Sequence, residues 1–147
     1  MVNSSLKIPE PVRLRVFLVE DSLVIRQRLK RMLADIAQVQ VVGEAGDARS
    51  ATDAILQRKP DAVLLDIHLE SGSGIDVLQR VKNSQPAPAV IVLTNYPYTQ
   101  YRQKCLEAGA DFFFIKSAEF DRVVPALKQL AQRLGNSAAP RSMSGKT

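Results

Sequence analysis

Short apolar runs alternate along this chain with longer stretches in which apolar residues recur every three or four positions. An apolar run of about four to eight residues bounded by polar residues is typical of a strand buried on both faces of a parallel sheet. Five such runs are present: Leu14 to Val19, Val39 to Glu44, Ala62 to Leu65, Ala89 to Leu93 and Phe112 to Ile115. Their alternation with helical patterns predicts an α/β fold, a doubly wound five-stranded parallel sheet with helices on both faces.

The stretches between the strands carry the spacing of amphipathic helices. Such stripes are Ile25, Leu29, Leu33 and Ile36 in the first stretch and Val124, Leu127, Leu130 and Leu134 in the last. Asp47 and Ser73 are the expected N-caps of the second and third helices, and Gly109 is expected to end the fourth. Pro125 fits the last helix only if that helix begins near Glu119 to Asp121, because proline is tolerated in a first turn and breaks a helix interior.

Length and composition describe an ordinary globular chain: 147 residues suit one domain, and 46% are hydrophobic and 24% charged. Small polar residues and prolines predict a flexible N-terminal extension at 1–12 and a flexible tail at 136–147, around one domain at 13–135. No apolar run approaches the roughly 20 residues that span a bilayer, and no secretory signal is seen, so we expect a cytoplasmic protein without membrane contact. A single cysteine, Cys105, excludes an internal disulfide and a thiolate metal site.

The formal net charge of +5 raises the question of nucleic-acid binding. Part of the excess lies in the two ends, at Lys7, Arg141 and Lys146, and no helix-turn-helix pattern follows residue 135. Nucleic acid is therefore not an expected partner. The densest basic cluster is Arg26, Arg28, Lys30 and Arg31. We interpret this cluster as the solvated face of the first helix, with docking to an acidic partner as the alternative.

Polar residues directly follow four of the five predicted strands: Glu20 and Asp21 the first, Asp66 the third, Thr94 the fourth and Lys116 the fifth. Ligands of a doubly wound sheet bind beyond the carboxyl ends of the strands, so these side chains are expected to meet at one edge. Three carboxylates that converge must take up protons or bind a cation. Oxygen ligands without cysteine or a supporting histidine favour Mg²⁺, which is typically held by one or two carboxylates and a phosphate.

This set of residues suits phosphoryl transfer. Lys116 supplies a positive charge for a phosphoryl oxygen, and the Thr94 hydroxyl supplies a donor that can move. A carboxylate beside a cation and an ammonium group is a competent nucleophile toward phosphorus, and Asp66 ends the central strand. Each residue alone has a simpler interpretation, such as Asp21 or Ser22 capping the first helix. Their combination at the strand ends favours a phosphoacceptor site.

The sequence resembles the receiver domains of two-component response regulators, of the stand-alone, chemotaxis-regulator type, over residues 13 to 135. The resemblance is carried by VFLVEDS (Val16 to Ser22), LLDIHLESGSGIDVL (Leu64 to Leu78), VIVLTNY (Val90 to Tyr96) and AGADFFFIKS (Ala108 to Ser117). It implies a flavodoxin-like strand order of 2-1-3-4-5 and phosphotransfer to Asp66 from a histidine kinase or a phosphotransfer protein. It also implies Mg²⁺ on Glu20, Asp21, Asp66 and the main-chain carbonyl of His68.

The resemblance further implies how the domain signals. Thr94 moves toward the phosphoryl group and Phe113 follows as the coupled aromatic residue. The fourth and fifth helices with the last strand then form the output face, which can also support a homodimer. The domain changes shape for a protein partner and catalyses only its own phosphotransfer and dephosphorylation, so it is not an enzyme in the usual sense. Two alternatives stay open: an intermediate phosphate carrier in a phosphorelay, and a receiver fragment of a longer regulator.

Several positions depart from the family pattern. Glu70, four residues after Asp66, replaces a proline and predicts a more mobile and more acidic loop. Ser117 replaces the proline that often follows the lysine through a cis bond, and a cis bond to a non-proline residue costs roughly 3 to 4 kcal/mol. Asn95 replaces a small residue and is expected to slow attack by small phosphodonors or water. Phe113 replaces the frequent tyrosine and lacks its hydroxyl.

Other residues near the expected site are candidates for tuning its chemistry. His68 is expected to face solvent and to tune dephosphorylation by crowding, with general acid or base action as the alternative. Tyr96 and Asn95 are further candidates for this tuning. Tyr96, Tyr98 and Tyr101 cluster around the start of the fourth helix, where packing and partner contact are the expected roles.

Two rival functions of similar architecture fit the residues less well. A phosphohydrolase that forms an aspartyl-phosphate generally needs a second aspartate two residues after the nucleophile, and His68 occupies that position. A flavin-binding module needs a phosphate-binding loop after the first strand. Glu20 and Asp21 would repel the phosphate there. The phosphoacceptor interpretation is therefore preferred.

Overall fold

Five parallel strands form the centre of the molecule. The computed structural model describes residues 12–95 and 98–137. The strands are β1 (Leu14–Val19), β2 (Val39–Ala45), β3 (Ala62–Leu65), β4 (Ala89–Thr94) and β5 (Phe112–Ile115). They lie in the order β2-β1-β3-β4-β5, and every neighbouring pair is parallel. The predicted strands and their order are confirmed, with one residue added at the carboxyl ends of β2 and β4.

Helices connect the strands. They are α1 (Leu23–Ala34), α2 (Ala48–Arg58), α3 (Gly74–Lys82), α4 (Thr99–Glu107) and α5 (Val123–Ser137). A single helical turn (Lys116–Glu119) and a 3-10 turn (Phe120–Arg122) join β5 to α5. Within the described residues no helix combines the length and the apolar character needed to cross a membrane.

Alternate residues of each strand pack on opposite faces of the sheet. Phe17 and Val63 pack in a cluster with apolar residues of α2, α3 and α4. Leu18, Leu64 and Ile91 pack in a second cluster with residues of α1 and α5. Both clusters are buried, so helices cover both faces as predicted and the strand ends are held by packed neighbours on each side.

Local capping follows the sequence at most helix ends. The Ser50 N–H donates to Asp47 Oδ2 over 3.0 Å at the start of α2, and the Ile75 N–H donates to Ser73 Oγ over 3.1 Å at the start of α3. Gly109 has a φ of +105° and follows Ala108, the C-cap of α4. This left-handed conformation favours glycine, and it turns the chain toward β5 as expected.

The start of the last helix differs from the prediction. α5 begins at Val123, not near Glu119 to Asp121. The preceding residues form a turn of their own, because the Ile115 N–H donates to Glu119 Oε1 over 2.9 Å. Pro125 is the third residue of α5 and still lies in the first turn, where N–H groups lack helical partners.

The predicted flexible ends fall almost wholly outside the described residues. Of the extension at 1–12 the structure describes residue 12 alone. Of the tail at 136–147 it describes residues 136 and 137, which are the last two residues of α5. The proposed limits of the domain, 13 and 135, therefore stay predictions.

Candidate functional site

The carboxyl ends of β1 and β3 bring two acidic residues together. Val19 pairs with Leu65 across the two strands, so the next residues of the two strands, Glu20 and Asp66, lie side by side. The Asp66 N–H donates to the Val19 carbonyl over 3.0 Å, which extends the ladder to the acid itself. Both side chains are buried. Sheet pairing, not loop geometry, therefore sets their positions.

Asp21 completes a cluster of three carboxylates. Each of Glu20, Asp21 and Asp66 offers an oxygen atom within 4.8 Å of the others. The Ser22 hydroxyl accepts the Ile25 N–H over 3.2 Å and caps α1. Asp21 therefore does not cap the helix, and its Oδ2 accepts the Glu70 N–H over 2.8 Å. This bond draws the loop after β3 toward the cluster.

Lys116 reaches the cluster from the end of β5. Its Nζ lies 2.5 Å from Glu20 Oε1 and 3.0 Å from Asp66 Oδ2, so one ammonium group binds two buried carboxylates. Burial alone would lower the pKa of Lys116, but the hydrogen bonds and charges of Glu20 and Asp66 outweigh it and raise that pKa above its ordinary value of 10.5. Lys116 therefore carries its positive charge throughout the neutral pH range.

The acidity of Glu20 is set mainly by its burial. Burial raises the pKa of Glu20 above its ordinary value of 4.5. Hydrogen bonds from Lys116 and from the Ser22 N–H lower the pKa only in part. The charged form of Glu20 is thus costly here, and a further positive charge beside it would be favourable.

Gly74, which sequence patterns do not mark as a site residue, allows α3 to begin against the site. A Cβ at Gly74 would lie 2.3 Å from the Asp66 carbonyl oxygen and 2.4 Å from the Ile67 Cα. Both are backbone atoms next to the central acid, so any side chain at Gly74 would displace them. The signal in the sequence was a glycine directly after the expected cap Ser73. Close approach of two backbones is a common reason for such a glycine.

The family model for the response regulator receiver domain matches residues 16–128, which is well over half of the chain. The chain belongs to the receiver-domain family. The predicted family membership is confirmed, and the strand order reported above is the order expected for this fold.

Relatives of the receiver domain include longer regulators. The chain is 31% identical to the sensory transduction protein LytT of Bacillus cereus over 116 residues, which cover 79% of the chain and 46% of LytT. It is 31% identical to the response regulator GacA of Pseudomonas aeruginosa over 117 residues, which cover 80% of the chain and 55% of GacA. The chain thus spans about half the length of the curated relatives it matches.

Solved structures show the same receiver fold. The signal receiver domain of the putative response regulator NarL from Mycobacterium tuberculosis is 27% identical. The match covers 83% of this chain and 98% of that domain with a TM-score of 0.76.

The expected switch residues of the receiver domain lie at the ends of β4 and within β5. Thr94 is fully buried as the last residue of β4 and pairs with Ile115. Phe113 is buried, and the Arg102 guanidinium lies 5.7 Å from the centre of its ring. The Phe113 ring is therefore packed inside the domain.

The residues expected to tune the chemistry of the site differ in exposure and in their contacts. His68 is exposed in the loop after β3, and its N–H donates to Asp66 Oδ1 over 3.0 Å. Asn95 is exposed, and its Oδ1 accepts the Ser117 N–H over 3.1 Å. Tyr96 lies outside the described residues. The rings of Tyr98 and Tyr101 are 5.8 Å apart at the start of α4.

Ser117, which replaces the proline of the family pattern, follows Lys116 through an ordinary peptide bond. Among the described residues the cis peptide bond joins Gln85 and Pro86, so the bond between Lys116 and Ser117 is trans. Lys116 begins the helical turn that precedes α5. The unusual serine therefore does not need a costly peptide geometry.

The basic cluster on α1 is only partly a solvated face. Arg26 and Lys30 pair with Glu44 of β2 at 3.5 and 2.6 Å. The Arg28 guanidinium lies 4.1 Å from the centre of the Phe120 ring. Three of the four basic residues thus contact neighbouring elements.

Proposed function

We propose that this receiver domain accepts a phosphoryl group on Asp66 from a histidine kinase or a phosphotransfer protein, in a Mg²⁺-dependent reaction. It then signals to a protein partner by a change of conformation. One observation carries the proposal. Asp66 lies buried in a cluster of three carboxylates and binds the ammonium group of Lys116, which directly follows the edge strand β5.

The chemistry of the acceptor follows from these contacts. A carboxylate oxygen of Asp66 forms a bond to phosphorus while the P–N bond of a phosphohistidine breaks, and the imidazole nitrogen keeps the electron pair of that bond. Lys116 lies on one Asp66 oxygen and offers its charge to the oxygens of the incoming phosphoryl group. The His68 N–H lies on the other oxygen and holds the carboxylate in one orientation.

The residues present fit a bound Mg²⁺ ion. Three oxygen ligands within 4.8 Å of one another and a buried glutamate with a raised pKa form a site that favours a hard cation. Glu20, Asp21 and Asp66 would hold the ion, together with the main-chain carbonyl of His68. When bound, Mg²⁺ would neutralise negative charge on the carboxylates and on the phosphoryl oxygens.

The change of conformation is assigned to Thr94 and Phe113. We expect the Thr94 hydroxyl to approach the phosphoryl group and the Phe113 ring to exchange between buried and exposed positions. The proposed output face is formed by α4, β5 and α5, where Tyr98 and Leu106 expose about half of their surface at 55% and 43%. A protein target or a second copy of the chain would bind there. A cytoplasmic location suits a partner kinase that presents its phosphohistidine on that side of the membrane.

A mass measurement tests the phosphoacceptor role. The protein is incubated with Mg²⁺ and a phosphorylated histidine kinase or phosphotransfer protein, and the intact mass is recorded. Wild type should gain one phosphoryl group and Asp66→Asn none. Asp53→Asn, which changes an exposed acid on α2, is the control and should behave as wild type. Chelation of Mg²⁺ should suppress the gain of mass in wild type.

Two outcomes would contradict the proposal. An adduct that persists in Asp66→Asn would place the phosphoryl group on another residue. No adduct on wild type with a panel of kinases would remove the phosphoacceptor role altogether. A phosphorelay carrier is distinguished by a second step, because it would pass the label from Asp66 to an added phosphotransfer protein.

A further inference from the structure

Two side chains accept the backbone N–H groups on either side of Lys116. Asn95 Oδ1 accepts the Ser117 N–H over 3.1 Å, and Glu119 Oε1 accepts the Ile115 N–H over 2.9 Å. Ile115 pairs with Thr94 at the last step of the β4–β5 ladder. Asn95 and Lys116 are therefore the next residues beyond it, and the Asn95 side chain continues the ladder where the backbone pairing stops.

The contact from Asn95 depends on two departures from the family pattern. A proline after the lysine would have no N–H to donate, whereas Ser117 has one. A small residue after the threonine could not reach across to that N–H, whereas the Asn95 amide does. The asparagine and the serine thus form one interaction that neither residue could make alone.

Packing does not hold the turn that carries Lys116. None of the four residues of the turn Lys116–Glu119 is buried, and Ser117 and Ala118 are exposed. The ammonium group at the end of a flexible four-carbon stem nevertheless meets two buried carboxylates. A fixed Lys116 backbone reduces the conformational freedom that the side chain must lose when it binds the two carboxylates. Because the turn is exposed, hydrogen bonds rather than packing fix this backbone.

We propose that Asn95 and Glu119 are positioning residues that hold Lys116 over Asp66. This pair is named the Lys116 clamp. The inference rests on the proposed function, because its consequence for phosphotransfer requires that Asp66 accept the phosphoryl group. The second carboxylate oxygen of Glu119 lies 3.1 Å from Arg122 Nη1.

Matched variants separate the hydrogen bonds from the size of the side chains. Asn95→Leu and Glu119→Met keep the approximate volume and remove the acceptor. Asn95→Asp and Glu119→Gln keep an acceptor oxygen. Ser117→Ala keeps the backbone N–H and removes a hydroxyl that is not part of the clamp. Each variant is measured for its rate of phosphotransfer at saturating phosphodonor and for exchange of the Ser117 and Ile115 amide protons by NMR.

We expect Asn95→Leu and Glu119→Met each to lower the rate about three- to tenfold, the range given by one net hydrogen bond. The amide proton of the residue that lost its acceptor should exchange faster in each. All rates are compared at saturating Mg²⁺, because Lys116 pairs with two of the proposed carboxylate ligands. Asn95→Asp, Glu119→Gln and Ser117→Ala should keep both the amide protection and most of the rate.

Some results would overturn the clamp. It is wrong if the leucine and methionine variants match wild type in rate, or if they lose rate while the two amide protons stay protected. The proposed function fails in a different way, through absence of a phosphoryl adduct on wild type. In that event the Lys116 Nζ signal still tests the clamp, because it should broaden in Asn95→Leu and Glu119→Met and stay sharp in the acceptor-retaining variants.

Discussion

The two ends of the sheet each carry a lysine–aspartate pair with the same separation. At the amino ends of the strands Lys82 Nζ lies 3.0 Å from Asp111 Oδ2, and at the carboxyl ends Lys116 Nζ lies 3.0 Å from Asp66 Oδ2. Asp111 also accepts the Val90 N–H over 2.8 Å at the start of β4. Similar contacts therefore occur in two places that are proposed to do very different things.

The difference lies in the balance of charge and in burial. Asp111 has one ammonium partner and a strand N–H, and its side chain is 35% exposed. At the other end three carboxylates lie together, Lys116 pairs with Glu20 and Asp66, and the Asp66 side chain is only 7% exposed. The amino-end pair is balanced in charge, whereas the carboxyl-end cluster carries more negative than positive charge. That excess of negative charge is the physical basis of the proposed cation and phosphoryl site.

Removing each lysine should give the largest contrast between the two ends. Lys116→Met leaves Glu20 and Asp66 buried without a counter-charge, and we expect the unfolding free energy in Mg²⁺-free buffer to fall by about 2 to 4 kcal/mol. Lys82→Met breaks a more exposed pair and should cost about 1 kcal/mol or less. Urea denaturation of both variants measures the two losses.

Acidity provides an internal check on that contrast. Burial raises the pKa of Glu20, so lowering the pH lets this carboxyl take up a proton and relieves the repulsion left in Lys116→Met. The deficit of that variant should therefore shrink as the pH falls from neutral toward the raised pKa. Equal losses for the two lysine variants, with no effect of pH, would mean that the ends are not electrostatically different.

Mg²⁺ should sharpen the comparison further, because only one end is expected to bind it. At ten times its Kd, Mg²⁺ should stabilise wild type by about 1.4 kcal/mol by mass action. Asp21→Asn should lose most of this response, and Asp111→Asn should keep it. Thermal unfolding with and without Mg²⁺ gives the measurement. A response that survives in Asp21→Asn and disappears in Asp111→Asn would reverse the assignment of the two ends.

Sequence patterns predicted most of the sheet because the apolar runs and the polar residues that follow them can each be recognised within a short segment of the chain. The five apolar runs gave the strands, and the polar residue after a run marked the carboxyl end where Glu20, Asp66 and Lys116 meet. Register then brings Glu20 and Asp66 side by side, and Lys116 reaches them from the turn that follows β5. The acid cluster was therefore within reach of sequence reasoning.

The features that escaped depend on contacts between distant segments. Gly74 matters because the backbone beside Asp66 passes within van der Waals distance of it. The Asn95 contact with Ser117 joins two positions that the sequence showed only as separate departures. The late start of α5 follows from Glu119 turning back to Ile115. Periodicity carries no information on such pairings.

The acids at the amino end should matter for stability alone. Asp111→Ala leaves the Val90 N–H without its acceptor, and the expected loss is about 1 kcal/mol. Asp61→Ala is a matched variant, since Asp61 Oδ2 accepts the Arg15 N–H over 2.8 Å at the start of β1. Both variants should unfold at lower urea concentration and keep the wild-type gain of phosphoryl mass. Loss of phosphorylation in either variant would mean that the amino end of the sheet affects the site at the carboxyl end.

Alkaline pH should produce the smallest effect and the most specific one. The pKa of Lys116 is raised in the folded state above the ordinary 10.5, so its contribution to stability is fully present below that pH. The contribution is lost as the pH rises through the folded pKa, because the folded form then releases the proton as well. The difference in unfolding free energy between wild type and Lys116→Met should therefore be constant from about pH 8 to about pH 10 and decline above it. Other lysines titrate in both proteins and cancel in this difference. A difference that grows with alkaline pH would mean that the two carboxylates do not hold the Lys116 proton, and the carboxyl end would lose the electrostatic feature that separates it from the amino end.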